Sequence, residues 1–237
     1  MMFRPSLLTR IQRMIELTYD WQTEIHSIDP YLVGDYGFSI HYAGRSVFPQ
    51  VAADQPRTFV TYTGGPIRLG IYYPDSLIRQ LEEANPLHGI SHKNVLPFAA
   101  LVEELDHFLM LAWSAQNQRE VSLLELEFHA NVTTYLVLAH FLGRTTGRAR
   151  LSTDQREWIR KNLLYGVGES FPEPHRSRYR SASRLALAFL LSLEHLTGEE
   201  KLKFLRRFAR QSWTDQRTLI ESGDCVGRSG LLRAVRG

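Results

Sequence analysis

The densest cluster of ionisable side chains is Glu103-Glu104-Leu105-Asp106-His107, inside a run with helical periodicity. At about 3.6 residues per turn, Glu103 and Glu104 precede His107 by four and three positions and share a side of the helix with it. A carboxylate and an imidazole so spaced are two metal ligands offered by one helix. A second pair follows in Leu124-Glu125-Leu126-Glu127-Phe128-His129, where Glu125 and His129 stand four apart. Two adjacent antiparallel helices bring the pairs together, so Glu104, His107, Glu125 and His129 are the expected ligands of a divalent metal, Zn, Fe or Mn. Glu103 is then a further ligand or the catalytic general base that deprotonates a metal-bound water.

Helical-wheel geometry treats the two clusters differently. Leu101, Leu105, Phe108, Leu109 and Ala112 set the apolar stripe of the first helix. Glu104 flanks that stripe, while Glu103 and His107 fall toward the polar side, where an exposed i,i+4 pair contributes only about 0.2–0.5 kcal/mol. In the second helix Val121, Leu124, Phe128, Val132, Tyr135 and Ala139 define the stripe, with Glu125 and His129 at its edge and partly buried. A buried carboxylate needs a partner, and a metal, a His or an Arg each serves.

The Glu104/His107 spacing resembles the Glu-x-x-His pairs of di-iron carboxylate bundles. That pattern requires two such pairs and two further Glu residues from four helices, and only one pair is present here. A sheet followed by a helix bearing Glu and His resembles the zincin architecture in outline, but Glu103 stands where His-Glu-x-x-His has its first His. Phosphate-binding Gly-rich loops and the Gly-x-Ser-x-Gly nucleophile elbow are absent from the sequence. His88 and His92 flank Gly89 in a loop after Pro86 and are candidates to join His107 around a metal, outside the expected ligand set.

Basic residues supply the competing function. Net charge is +3, but the charge is uneven. Residues 101–150 carry 4 Lys+Arg against 6 Asp+Glu, and residues 199–237 carry 9 against 5. Arg176, Arg180 and Arg184 form one ridge at i,i+4 spacing, and Arg206, Arg207 and Arg210 lie on a later basic helix. Such surfaces attract an acidic protein partner or nucleic acid, which makes a non-enzymatic regulatory or adaptor protein the alternative to a metal-dependent hydrolase or oxidase. The same arginines can instead pair with Glu103, Glu104, Glu125 or Glu127 inside the fold, which makes both clusters structural.

These side chains need a scaffold, and the sequence predicts an α+β fold with a predominantly helical body. Residues 6–24 read as an amphipathic helix after Pro5. Residues 35–73 form a β-rich sub-region, a small N-terminal antiparallel sheet or hairpin turning at Gly64-Gly65-Pro66. A helix starts at Pro74-Asp75-Ser76 and stops at Asn85-Pro86. Further helices are expected near 95–116, 121–143, 153–165, 177–196 and 199–221, with Thr197 or Gly198 at the last boundary. The helical body spans 74–222, and the glycine-rich 223–237 reads as a flexible tail carrying Cys225. All 237 residues fit a single domain of ordinary globular composition, with 43% hydrophobic and 22% charged residues, which excludes disordered and collagen-like classes. The single cysteine cannot form an internal disulfide, no continuous apolar leader is present, and no apolar run reaches membrane-spanning length. A cytoplasmic protein without membrane insertion is therefore expected.

Overall fold

Ser6 accepts a hydrogen bond from the Thr9 amide (3.1 Å) and starts α1, Leu7–Tyr19. Ile11 and Ile15 on its apolar face are buried. The helix ends at Asp20, whose left-handed conformation (φ 58°) accompanies the return of the Trp21 amide to the Glu16 carbonyl (3.0 Å). The computed structural model describes residues 6–42, 55–61, 68–147, 150–165, 172–223 and 225.

Three short strands follow α1: β1 (Leu32–Val33), β2 (Arg57–Thr61) and β3 (Arg68–Tyr72), with helix α2 (Asp35–Tyr42) between the first two. The expected antiparallel pairing is present between β2 and β3, with Thr58 opposite Ile71 and Phe59 opposite Gly70. Its turn at Gly64-Gly65-Pro66 lies outside the described residues. Two details differ from the sequence reading. The sheet is mixed, because β1 adds to β3 in parallel, Leu32 opposite Ile71, giving the order β1-β3-β2. Residues 35–42 are helical despite their aromatic and β-branched content; Asp35 in the first turn favours a helix start, and the Tyr72 hydroxyl donates to its carboxylate (2.7 Å). At Gly70 a Cβ would lie 2.4 Å from Cζ of Phe59, so any larger residue there must displace that ring.

The body consists of α3 (Asp75–Glu83), α4 (Val95–Gln116), α5 (Leu123–Thr146), α6 (Thr153–Leu163), α7 (His175–Ser192), α8 (Gly198–Ala209) and α9 (Trp213–Glu221). The stretch expected as one helix over 199–221 is two, because Ser212 caps a new helix by accepting from the Asp215 amide (3.2 Å). Thr197 starts α8 with a capping box, its hydroxyl taking the Glu200 amide while the Glu200 carboxylate takes the Thr197 amide (2.9 Å). α4 is the hub, packed against α1, α3, α5, α6, β2 and β3. Val102, Leu105, Phe108 and Leu109 around its girth are buried, as expected of a helix that is apolar on most sides. Cys225 is also buried, so it is part of the core and not of an exposed tail; residue 224 and residues 226–237 lie outside the described residues. No helix among the described residues is long and apolar enough to cross a membrane.

Candidate metal centre

Phe98 meets Phe141 (ring centroids 4.9 Å apart) near the start of α4, and Asp106 meets His129 farther along it, so α4 and α5 run antiparallel. At that level α4 places Asp106 and His107 on different sides of the seam, because consecutive helical residues are about 100° apart. On one side, Glu103, His107 and Glu127 each present a ligand atom, and these atoms lie within 4.8 Å of one another. His107 Nε2 is 3.9 Å from Glu127 Oε2, and it is buried without a hydrogen-bond partner. Two donors held about 2.1 Å from a tetrahedral ion are about 3.4 Å apart, so side-chain contraction would be needed to bring this candidate triad to metal-binding distances.

The surroundings hold these groups in place. Glu104 turns toward β2, where the Thr58 amide donates to its Oε2 and the Thr58 hydroxyl donates to its carbonyl (2.7 Å). The same Oε2 is 3.6 Å from His107 Nδ1. A carboxylate on the second nitrogen of an imidazole fixes its tautomer and orientation and raises its basicity. From α7, Arg178 Nε approaches Glu127 Oε1 (3.5 Å) and the Tyr179 hydroxyl donates to the same carboxylate. The sheet and α7 thus cover the side of α4 that the wheel assigned to solvent, and His107 is only 7% exposed.

Crowding shifts the ionisation of the group. Burial pushes the Glu103 carboxyl up to about 8; the charge of His107 opposes this, while Glu104, Glu127 and Asp106 reinforce it. Burial alone lowers the His107 imidazole, but the hydrogen bond and charge of Glu104, with the charges of Glu103 and Glu127, raise it to about 10. Burial likewise raises the Glu127 carboxyl, against the opposing charges of His107 and Arg178. At neutral pH the group without a metal therefore holds a neutral Glu103 and a charged His107.

On the other side of the seam, His129 Nδ1 bonds to both oxygens of Asp106 (3.1 and 2.8 Å). Asp106 is fully buried and His129 is 7% exposed. The imidazole packs against Tyr19 and Trp21, with centroids 4.3 and 4.8 Å away, and the Tyr19 hydroxyl bonds to Thr133 (2.8 Å). His129 Nε2 is buried without a hydrogen-bond partner.

The expected residues thus separate. Glu103 and His107 come together with Glu127, and Glu104 borders them through His107 Nδ1. Glu125 and His129 do not join this triad. The Glu125 carboxylate is taken by Arg119 from the loop just before α5, and His129 is taken by Asp106. Glu127 and Asp106 are the site residues that sequence reasoning passed over. Asp106 carried a signal, since it sits on the same arc of α4 as Val102, Leu109 and Met110, where a carboxylate must have a buried partner.

Of the basic ridge on α7, Arg184 is exposed, and the arginine that faces Glu127 is Arg178, between Arg176 and Arg180. On α8, Arg206 donates to the Leu17 carbonyl (2.8 Å), Arg207 to the Lys203 carbonyl (3.3 Å), and Arg210 pairs with Asp20. His92 accepts a hydrogen bond from the Trp158 indole (3.3 Å). No known protein family, curated protein or solved structure matches the chain.

Proposed function

We propose that this protein binds one divalent metal ion through Glu103, His107 and Glu127, and that the bound ion serves hydrolytic or oxidative chemistry. The observation that carries this reading is the buried, unpartnered His107 Nε2 between two carboxylates. Charge balance favours a divalent ion. Three carboxylates, Glu103, Glu104 and Glu127, surround His107 and Arg178. A divalent ion that replaces the protons of Glu103 and His107 leaves the net charge of the group unchanged. One imidazole and two carboxylates suit Zn, Mn or Fe(II).

Three protein ligands leave a coordination position for water or substrate, the arrangement of catalytic more than of structural sites. Glu104 becomes the residue that orients His107, and Tyr179 and Arg178 orient Glu127. Binding of an acidic partner or nucleic acid by Arg206 and Arg210 has less support, since both are engaged by α1. The single cysteine favours a cytoplasmic setting.

Elemental analysis of untagged protein tests the reading. About one equivalent of Zn, Mn or Fe is expected, and it should be lost in His107→Ala and strongly reduced in Glu127→Gln. Wild-type protein that neither carries nor takes up these ions, or a His107→Ala variant that takes them up unchanged, refutes it.

A further inference from the structure

Away from the metal centre, two clefts meet on the C-terminal half of α5. The first, of about 200 Å³, lies between α1, α5 and α8 and is walled by Met14, Ile15, Val137, Leu202 and Leu205. The second, of about 290 Å³, lies toward α6 and the end of α7 and is edged by Arg150, Arg156 and Glu194. Leu136, His140 and Lys201 belong to both. Together the clefts fall within the roughly 300–1,000 Å³ range of small-molecule sites, with the usual division into an apolar wall and a few polar groups.

Charge at the junction is out of balance. Lys201 is half-buried, yet its ammonium has no ion pair or hydrogen bond among the described residues, and neither has Arg150. Glu194 is the one carboxylate edging the second cleft, and it is shared between Arg156 (3.6 Å) and Arg160. Burial, then the charges of Arg150 and Arg156, lower the Lys201 pKa, so the ammonium stands in an uncompensated positive field. A cation partly withdrawn from water is stabilised by an anion brought beside it. The adjoining cleft is apolar, and at roughly 30 Å³ per water-sized group its 200 Å³ holds about six or seven methylenes.

We propose that this junction binds an amphipathic anion, an acidic head on an alkyl tail of about six to eight carbons. The head, a carboxylate or a phosphate monoester, lies between Lys201 and Arg150, and the tail lies among Met14, Leu136 and Leu205. The site uses none of the residues of the metal centre, so neither reading depends on the other.

Calorimetric titration of the full chain with sodium octanoate, octyl phosphate, 1-octanol and acetate tests this. At least one octyl anion is expected to bind tenfold or more tightly than octanol, with acetate binding weaker still. Which octyl anion binds better identifies the acidic head. Lys201→Gln should weaken the octyl anion at least tenfold and leave octanol within twofold. Arg150→Ser, at an exposed position that cannot disturb the core, should weaken it in the same selective way if Lys201→Gln impairs folding. Absence of binding by either octyl anion, octanol binding as tightly as they do, or indifference to both substitutions overturns the proposal.

Discussion

Replacing His129 by Phe isolates what the Asp106–His129 pair contributes. Phe keeps a ring between Tyr19 and Trp21, whose centroids lie 4.3 and 4.8 Å from the imidazole, so packing is largely conserved. What is lost is the Nδ1 that both Asp106 oxygens reach, at 3.1 and 2.8 Å, on a carboxylate with no solvent exposure. Stranding one member of a buried ion pair costs about 3–5 kcal/mol. At roughly 2–4 °C per kcal/mol for a chain of this size, Tm should fall by about 6–20 °C. Asp106→Leu should cost less, about 1–3 kcal/mol, because it strands one imidazole nitrogen instead of a carboxylate. The double variant removes both polar groups and should recover much of the loss, giving a coupling energy of at least about 2 kcal/mol in urea unfolding at pH 7. Additive costs, with a coupling below about 0.5 kcal/mol, refute the claim that each side chain is the other's essential partner.

Four further outcomes follow from the geometry. Glu103 and His107 have folded pKa values raised to about 8 and about 10, from 4.5 and 6.5. Their stabilising contributions are thus complete below pH 4.5 and 6.5 and are lost as pH rises through 8 and 10, respectively. Metal-free protein should therefore lose Tm between pH 6.5 and 10, while metal-loaded protein, whose ligands hold no protons, should not; parallel melting curves would refute this. Calorimetry in buffers of different ionisation enthalpy should show about two protons released per metal bound near pH 7. Arg119→Ala should cost about 3–5 kcal/mol in chemical denaturation, since Glu125 is 1% exposed and is left uncompensated. Gly70→Ala should cost about 1–3 kcal/mol by displacing Phe59, and Phe59→Leu in the same chain should recover part of that loss.

Local signals in the sequence were sufficient for most helices. The 3.6-residue period places α4 at 95–116, and the boundary at Thr197 or Gly198 falls where α8 begins. The break at Ser212 was missed because apolar periodicity continues through it, and a cap residue in mid-pattern reads as an ordinary surface serine. The parallel β1–β3 pairing was out of reach for another reason. It joins Leu32 to Ile71 across intervening chain, and neither strand carries information about its partner. The same distinction governs the site. The Glu103–His107 proximity is a property of one helix and was legible, whereas the setting of its neighbours Glu104 and Glu127 depends on Thr58 from the sheet and Tyr179 from α7. Glu125 was preferred over Glu127 because its i,i+4 relation to His129 looked like a ligand pair. Nothing local reveals that Arg119 consumes Glu125, nor that Asp106, on the neighbouring helix, consumes His129.

The anchoring of α1 has a consequence for how the chain is made. Its last turn is secured by Arg206 on the Leu17 carbonyl and Arg210 on Asp20, contacts spanning 189 and 190 residues. Tyr19 reaches Thr133 across 114 residues. α1 therefore leaves the ribosome well before the helix that secures its last turn. At a synthesis rate of about 5–20 residues per second, α8 follows α1 by roughly 10–40 s. Throughout that interval the part of its apolar face that α8 covers in the finished protein, around Met14 and Ile15, lacks that cover. Production of this protein should therefore depend more on chaperones that shield early apolar segments, and on translation speed through the last third of the message, than the stability of the finished fold suggests.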